Sequence, residues 1–464
     1  MTPTLKTYSP IDNSLYVERA YATKQEIQAV LSTAKRAQQE WKHSSFSTRE
    51  QYCHAAVDYL VANKEVIGQE LCWQMGRPIR YAKNELRGLE ERARYMIDQA
   101  RASLAEIRMP EKLGFIRYIK QEPLGLVLVI APWNYPFLTA VNTIIPALMA
   151  GNSVVLKHSA QTPLVAERFA EAFKSAGLSE GVFNYLHLSH EETERCIQSP
   201  LVDAVAFTGS VEAGAQIERS AAGRFIPIGL ELGGKDPAYV REDADIDYAV
   251  AITMDGAFFN SGQSCCGIER VYVHQSLYQD FVAKAVALVK QYHLGRADDP
   301  QTTLGPMVRA SAADFVREQI KEAVEQGATV HINPLDFPMD KEGTPYLAPQ
   351  VLTEVTHKMR IMTEESFGPV VGIMPVASDE EAIELMNDSD YGLTAAVFTK
   401  DIPSGIALGE QLNTGTFFIN RCDYLDPALA WTGLKKSGRG CTLSTLGYDY
   451  LTRPKSFHIK VGAD

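Results

Sequence analysis

Residues 124–156, LGLVLVIAPWNYPFLTAVNTIIPALMAGNSVVL, decide the fold of this chain. Leu124 to Ile130 is a short β-rich apolar run, the stretch after it through Met149 is helical, and Ser153 to Leu156 is a second strand. The rhythm continues with a helix from Thr162 to Ala176 and a strand from Val202 to Phe207. A helix from the Thr208-Gly209-Ser210 turn to Ala222 and a strand around Phe225 to Leu230 complete it. Strand, helix and strand at this spacing predict parallel βαβ units with right-handed crossovers. The opening segment is also the greasiest of the chain, but Pro132, Asn134, Pro136, Asn142, Pro146 and Asn152 cut it. No run reaches the roughly 18 apolar residues of a membrane helix.

A second α/β series follows Gly233. Helices are expected at 245–260, 276–292, 311–326, 379–387 and 402–412, and strands at 270–274, 370–376, 395–399 and 415–419. The first hundred residues read as helices, at 26–41 and at 49–74, with Met75-Gly76-Arg77-Pro78 stopping the second. Residues 113–120, LGFIRYIK, alternate like a half-exposed strand, and the tail after Gly447 reads as one more. Each would leave an unpaired apolar edge, carrying Phe115, Ile116, Phe457 and Ile459, so both are expected to pair across subunits. At roughly 100–200 residues per domain, 464 residues make two to three folded units. A net charge of −12 argues against nucleic acid as a partner. Seven cysteines, with no CxxC pair, point to a reducing, cytoplasmic compartment and to no metal site. The N-terminus, MTPTLKTYSP, lacks a secretory apolar region.

Four places could carry chemistry. Cys265 lies in Phe258-Phe259-Asn260-Ser261-Gly262-Gln263-Ser264-Cys265-Cys266-Gly267, where a helix runs into a Gly-containing loop. A cysteine there can be exposed, and its thiolate is a good nucleophile near neutral pH, although free cysteines more often serve as small buried hydrophobes. Glu231, at the end of an apolar strand, is placed for general-base work or for pairing with Lys235. Asn134, after the first strand, can offer an amide to a developing oxyanion or simply make a turn. Gly209-Ser210 opens a helix after a strand, an arrangement that suits phosphate but often occurs without a ligand.

Read together, these residues resemble the aldehyde dehydrogenase superfamily along nearly the whole chain. The resemblance rests on Pro132 to Pro136 (PWNYP), Lys157, Phe207 to Ser210 (FTGS), Glu231 to Lys235 (ELGGK), Gly262 to Cys265 (GQSC) and Glu365 to Pro369 (ESFGP). It implies a Rossmann-like coenzyme domain over 1–104 and 124–232, a second α/β catalytic domain over 233–446, and oligomerisation arms over 105–123 and 447–464. It further implies oxidation of a small-molecule aldehyde by NAD or NADP in a homodimer or homotetramer. Cys265 would be the nucleophile, Asn134 the oxyanion donor and Glu231 the residue that activates water. The coenzyme would lie against Ile130, Trp133, Lys157, Ser159, Ala160, Gly209, Ser210, Leu232, Gly233, Glu365 and Phe367. Tyr135, Asn142, Phe259, Cys266, Leu425 and Trp431 would line the substrate tunnel.

Three departures from the family pattern shape the expectations. Ala160 stands where NAD-preferring members usually carry a glutamate against the adenine ribose, which admits NADP, with Lys157 and His158 as donors to its phosphate. Thr143 and Thr442 replace a Lys–Glu proton-relay pair, leaving Glu231 with water or backbone alone. Asn142 and Phe259 occupy the positions of two carboxylate-binding arginines, which favours an uncharged aldehyde over a semialdehyde. A CoA-acylating enzyme, a cysteine-dependent esterase or thioesterase, and an inactive structural relative are the competing readings.

Overall fold

The computed structural model describes residues 3–461. Leu126–Ala131 is buried at every position and sits inside a six-stranded sheet. The sheet runs from Gly438–Arg439 through Ile228–Glu231, Ala204–Thr208, Leu126–Ala131 and Ser153–His158 to Phe183–Tyr185. All neighbours are parallel except Gly438–Arg439, which pairs antiparallel with Ile228–Glu231. The chain builds outward from Leu126–Ala131 on one side, then returns to build on the other. That reversal opens a crevice at the carboxyl ends of Leu126–Ala131 and Ala204–Thr208, where open α/β sheets bind ligands.

The helix Pro136–Ala150 follows the central strand and is buried almost all round. Such a helix belongs in the core of a large unit. It lies along Asn84–Ser103, whose Leu86, Leu89, Ala93, Met96 and Ile97 face it. A second sheet of seven strands runs in the order Thr329–Val330, Gln350–Thr353, Val370–Val376, Ile268–His274, Asp236–Val240, Thr394–Phe398 and Thr416–Ile419. It is parallel apart from the first pair. The chain crosses from one sheet to the other directly after Glu231.

Several expectations need correction. The N-terminal region is not all helical, because Thr4–Tyr8 and Leu15–Ala20 form an antiparallel hairpin before the first helix. The helix expected over 49–74 is two, Phe46–Ala62 and Lys64–Met75, parted at Asn63. Asp236–Val240 is a central strand that the sequence hides: it is short and contains Pro237, whose missing donor falls beside a register shift. The two supposed free edges pair with each other. Phe115–Pro123 and Thr452–Lys460 form nine antiparallel partners within one chain, with Ile107–Arg108 on the far side. Gly462, to which the tail strand was expected to run, lies outside the described residues.

Candidate active site

The cysteine loop owes its shape to an abrupt stop. The helix Ile246–Phe258 gives way to a tight turn over Phe259–Gly262. Asn260, Ser261 and Gly262 take φ of 53°, 57° and 70°. Two consecutive non-glycine residues in the left-handed region store about 1–3 kcal/mol each and persist only where neighbours hold them. Here Gln263 Nε2 donates to Asn260 O at 3.0 Å, Val308 N donates to Gln263 Oε1 at 2.8 Å, and Ser261 Oγ donates to Gly305 O at 2.7 Å. A Cβ on Gly262 would lie 2.1 Å from Gly368 O, so glycine is required for this loop to touch the one carrying Glu365 and Phe367. The turn delivers Cys265, half-buried, into a cavity of about 280 Å³ that Glu231 also lines.

The two adjacent thiols have different surroundings. Cys266 is buried and donates to Asp423 Oδ1 at 3.0 Å, while Ser264 Oγ donates to the same oxygen at 2.8 Å. The Cys265 thiol beside it, burial and the Asp423 charge push the Cys266 thiol well up, so it stays protonated. Burial raises the Asp423 carboxyl to about 6. Of the pair, only Cys265 is free of a carboxylate partner.

Asn134 is held through its side-chain amide and through its backbone carbonyl. Its Nδ2 donates to Gln263 O at 3.2 Å, which spends one of its two protons and leaves the other for a ligand. Its backbone carbonyl accepts from Arg77 Nη2 and from Asn260 Nδ2. Arg77 is buried, ion-paired with Glu85 and stacked over the Tyr135 ring at 4.6 Å. Glu85 in turn accepts from Phe137 N at 2.7 Å, at the start of Pro136–Ala150. Arg77 and Glu85 therefore fix the backbone at Asn134. The sequence reading used Arg77 only as part of a helix stop.

Glu231 ends the strand Ile228–Glu231. Thr208 Oγ1 donates to its Oε2 at 3.1 Å, and Thr442 Oγ1 donates to its Oε1. This corrects the expectation of a carboxylate served by water or backbone alone. Thr442 reaches it because Gly438–Arg439 returns to the first sheet beside it, and Thr143 lines a smaller cavity on the same side. Burial pushes the Glu231 carboxyl up, against the two hydroxyls, which hold it down.

The crevice of the first sheet suits a dinucleotide. Lys157, at the end of Ser153–His158, has no hydrogen-bond or ion-pair partner among the described residues, and burial lowers its ammonium to about 8. Ser210 caps the helix Val211–Ala221, whose free amides face the crevice end of the sheet. Ile130 and Leu232 are buried there, and Gly209 lies half-buried with its amide on Glu231 O at 3.0 Å. A Cβ on Gly233 would lie 2.2 Å from the Glu365 carboxylate, so backbone and acid meet closely. Glu365, raised to about 8 by burial, accepts from Gly234 N, and Phe367 meets Trp133 edge-on at 5.7 Å. Ser159 turns the chain toward Ala160, which is exposed, with its carbonyl accepting from Thr7 Oγ1 at 2.8 Å. His158 cannot serve as a phosphate donor: its ring is buried against Pro136 O and Thr162, and burial drops its pKa to about 3.

Tyr135, Asn142, Phe259, Cys266, Leu425 and Trp431 all line the cavity. So does Arg92 of Asn84–Ser103, which sequence reasoning missed. In sequence it is one of several arginines on an amphipathic helix, and nothing in the spacing sets it apart from Arg87 or Arg94.

Two parallel sheets meeting at a strained cysteine loop, with a dinucleotide crevice on one side, define an α/β enzyme of the aldehyde dehydrogenase fold. The Aldehyde dehydrogenase family profile matches residues 2–457, and the chain belongs to that family of oxidoreductases. It is 35% identical over 459 residues to a "Succinate-semialdehyde dehydrogenase [NADP(+)]" of Mycobacterium avium (strain 104), covering 98% of this chain and 94% of that one. It is also 35% identical, over 97% of this chain and 94% of the other, to an "NADP-dependent glyceraldehyde-3-phosphate dehydrogenase" of Streptococcus equinus. Among solved structures, succinic semialdehyde dehydrogenase from Streptococcus pyogenes, in complex with NADP+, superimposes with a TM-score of 0.94 at 29% identity. That match covers 98% of this chain and 100% of that one.

Proposed function

We propose that this chain oxidises an aldehyde to its carboxylic acid with NADP, and also with NAD, through a covalent bond to Cys265. The observation that carries the reading is the convergence of the Cys265 thiol and the Glu231 carboxylate on one cavity, beside an oriented Asn134 amide. Cys265 attacks the aldehyde carbon as thiolate, and the free proton of Asn134 Nδ2 and the Cys265 amide hold the oxyanion that forms. A bound nicotinamide coenzyme supplies the hydride acceptor. The thioester left on Cys265 is then cleaved by water whose proton Glu231 takes, which favours hydrolysis over transfer to CoA. Lys157, Ser159 and Ala160 hold the adenosine end, Gly209 and Ser210 the pyrophosphate, and Glu365 the nicotinamide ribose. Ile130, Trp133, Leu232, Gly233 and Phe367 wall the crevice.

We assign coenzyme binding to 1–104 and 124–232, catalysis to 233–446, and association between copies to the ribbon of 105–123 and 447–464. The ribbon keeps one long edge, Thr452–Lys460, unpaired among the described residues, with Ile459 exposed. All seven cysteines are free, in keeping with a reducing cytoplasm. No helix among the described residues is long and apolar enough to cross a membrane.

The test is Glu231→Gln mixed rapidly with saturating NADP and aldehyde. An amide cannot accept the proton of water, so a burst of reduced coenzyme should precede a slow steady state. An unchanged steady-state rate removes Glu231 from the mechanism.

A further inference from the structure

The loop that carries Glu365 and Phe367 lies between the helix Arg360–Thr363 and the strand Val370–Val376, outside both. One buried side chain holds its amides. Ser366 N donates to Glu269 Oε2 at 2.8 Å, and Phe367 N donates to Glu269 Oε1 at 2.9 Å. Neither amide has another partner among the described residues. Lys235 Nζ donates to the same carboxylate and, at 3.1 Å, to Ser366 Oγ. Lys235 is 1% and Glu269 4% exposed. A fault in the strand pairing brings them together. Asp236 partners Ile268 and Pro237 partners Arg270, which leaves Glu269 as the extra residue at the register shift. Such a shift re-aims a side chain, here toward the loop.

A buried Lys–Glu pair adds little net stability, because desolvation of the two charges offsets most of their attraction. This one has a second task. Phe367 has φ of 50°, a region that costs a non-glycine residue about 1–3 kcal/mol and persists only where neighbours hold it. The pinned amides also sit among the residues of the coenzyme crevice: Glu365 Oε1 accepts from Gly234 N at 3.1 Å, and a Cβ on Gly234 would lie 2.5 Å from Cys265 O. We propose that Glu269 is a positioning residue for the nicotinamide half of the coenzyme: through the Ser366 and Phe367 amides it sets where the Glu365 carboxylate and the Phe367 ring stand in the crevice. Glu269 does not line the cavity of Cys265, so it acts through the loop alone. This inference rests on the assignment of Glu365 to the nicotinamide ribose made above.

Equilibrium binding of NADP and of adenosine 2′,5′-bisphosphate, which lacks the nicotinamide ribose, tests it. The proteins are the wild type, Glu269→Gln, Glu365→Ala and the double variant Lys235→Met with Glu269→Gln, each with its Tm recorded. The double variant removes the ammonium that Glu269→Gln leaves buried without a counter-charge. Both Glu269 variants should bind NADP at least tenfold more weakly, about 1.4 kcal/mol, and the bisphosphate within about twofold of the wild type. A merely structural role would weaken both ligands together. A further measurement needs no variant: hydrogen exchange in the wild type should find residues 365–368 slower than the exposed loop at 338–344. An unchanged NADP affinity in the Glu269 variants, an equal loss for both ligands, or fast exchange at 365–368 overturns the inference. If Glu365→Ala weakens NADP selectively and the Glu269 variants do not, the role of Glu365 stands and that of Glu269 falls. If Glu365→Ala leaves NADP affinity unchanged, the assignment of Glu365 falls, and this inference with it.

Discussion

Replacing Thr442 by Val should move the acid limb of turnover to higher pH. The isosteric change removes the hydroxyl that donates to Glu231 Oε1 and keeps the backbone bridge of Thr442 to Trp431, whose two hydrogen bonds use only main-chain atoms. A hydrogen bond to a charged acceptor contributes about 1.5–3 kcal/mol, and its loss here falls on the ionised form of Glu231 alone. The sign follows directly. Burial already raises the Glu231 pKa, and Thr442 and Thr208 oppose that rise. With Thr442 gone, the carboxylate is harder to form, and the base is unprotonated only at higher pH. Taking the low end, because Thr208 Oγ1 remains on Oε2, the shift is about one pH unit at 1.36 kcal/mol per unit. The measurement is kcat against pH under conditions where thioester hydrolysis limits turnover, with the burst amplitude recorded at each pH. A limb displaced upward by about one unit, with unchanged rate on its plateau, is expected. A limb that stays in place, or a plateau that falls at all pH values, would refute the role given to this hydroxyl.

Three further outcomes are expected. Cys265→Ala should abolish coenzyme reduction while Cys266→Ala retains substantial turnover, because Cys266 is held as a neutral thiol on Asp423; the reverse pattern in rate assays would move the nucleophile by one position. Ala160→Glu should raise the preference for NAD over NADP at least tenfold, about 1.4 kcal/mol, since a carboxylate beside the unpaired Lys157 opposes a 2′-phosphate; an unchanged kcat/KM for NADP excludes contact with this turn. Light scattering at micromolar concentration should find an oligomer, formed at the free edge of the Thr452–Lys460 ribbon, and a well-behaved monomer would contradict that.

The sequence carried the parallel sheets and the three catalytic candidates because each announces itself locally. Leu126–Ala131 is a continuous apolar run with a punctuated turn behind it, and such runs are what fully buried parallel strands look like. The sequence could not carry pairings over long distances. Phe115–Pro123 and Thr452–Lys460 lie more than 300 positions apart, and either strand alone looks like an exposed edge in need of another chain. Pro237 disguised a central strand for a different reason: one missing donor argues against a strand unless a register shift sits beside it.

The same distinction separates the site residues that were legible from those that were not. Cys265, Glu231 and Asn134 sit next to glycines, prolines and strand ends, features that set a side chain apart from its neighbours along the chain. Arg77 lies in the loop between two helices and Arg92 on a helix among other charges, and their importance comes only from what the fold carries to them. Arg77 faces the Asn134 carbonyl across 57 positions, and Arg92 faces Asn142 across 50. Their surroundings differ. Arg77 has Glu85 as its counter-charge, so its electrostatics are complete within the protein and it holds the Asn134 backbone in place. Arg92 has, among the described residues, neutral acceptors on one nitrogen only, at the wall of the cavity that holds Cys265.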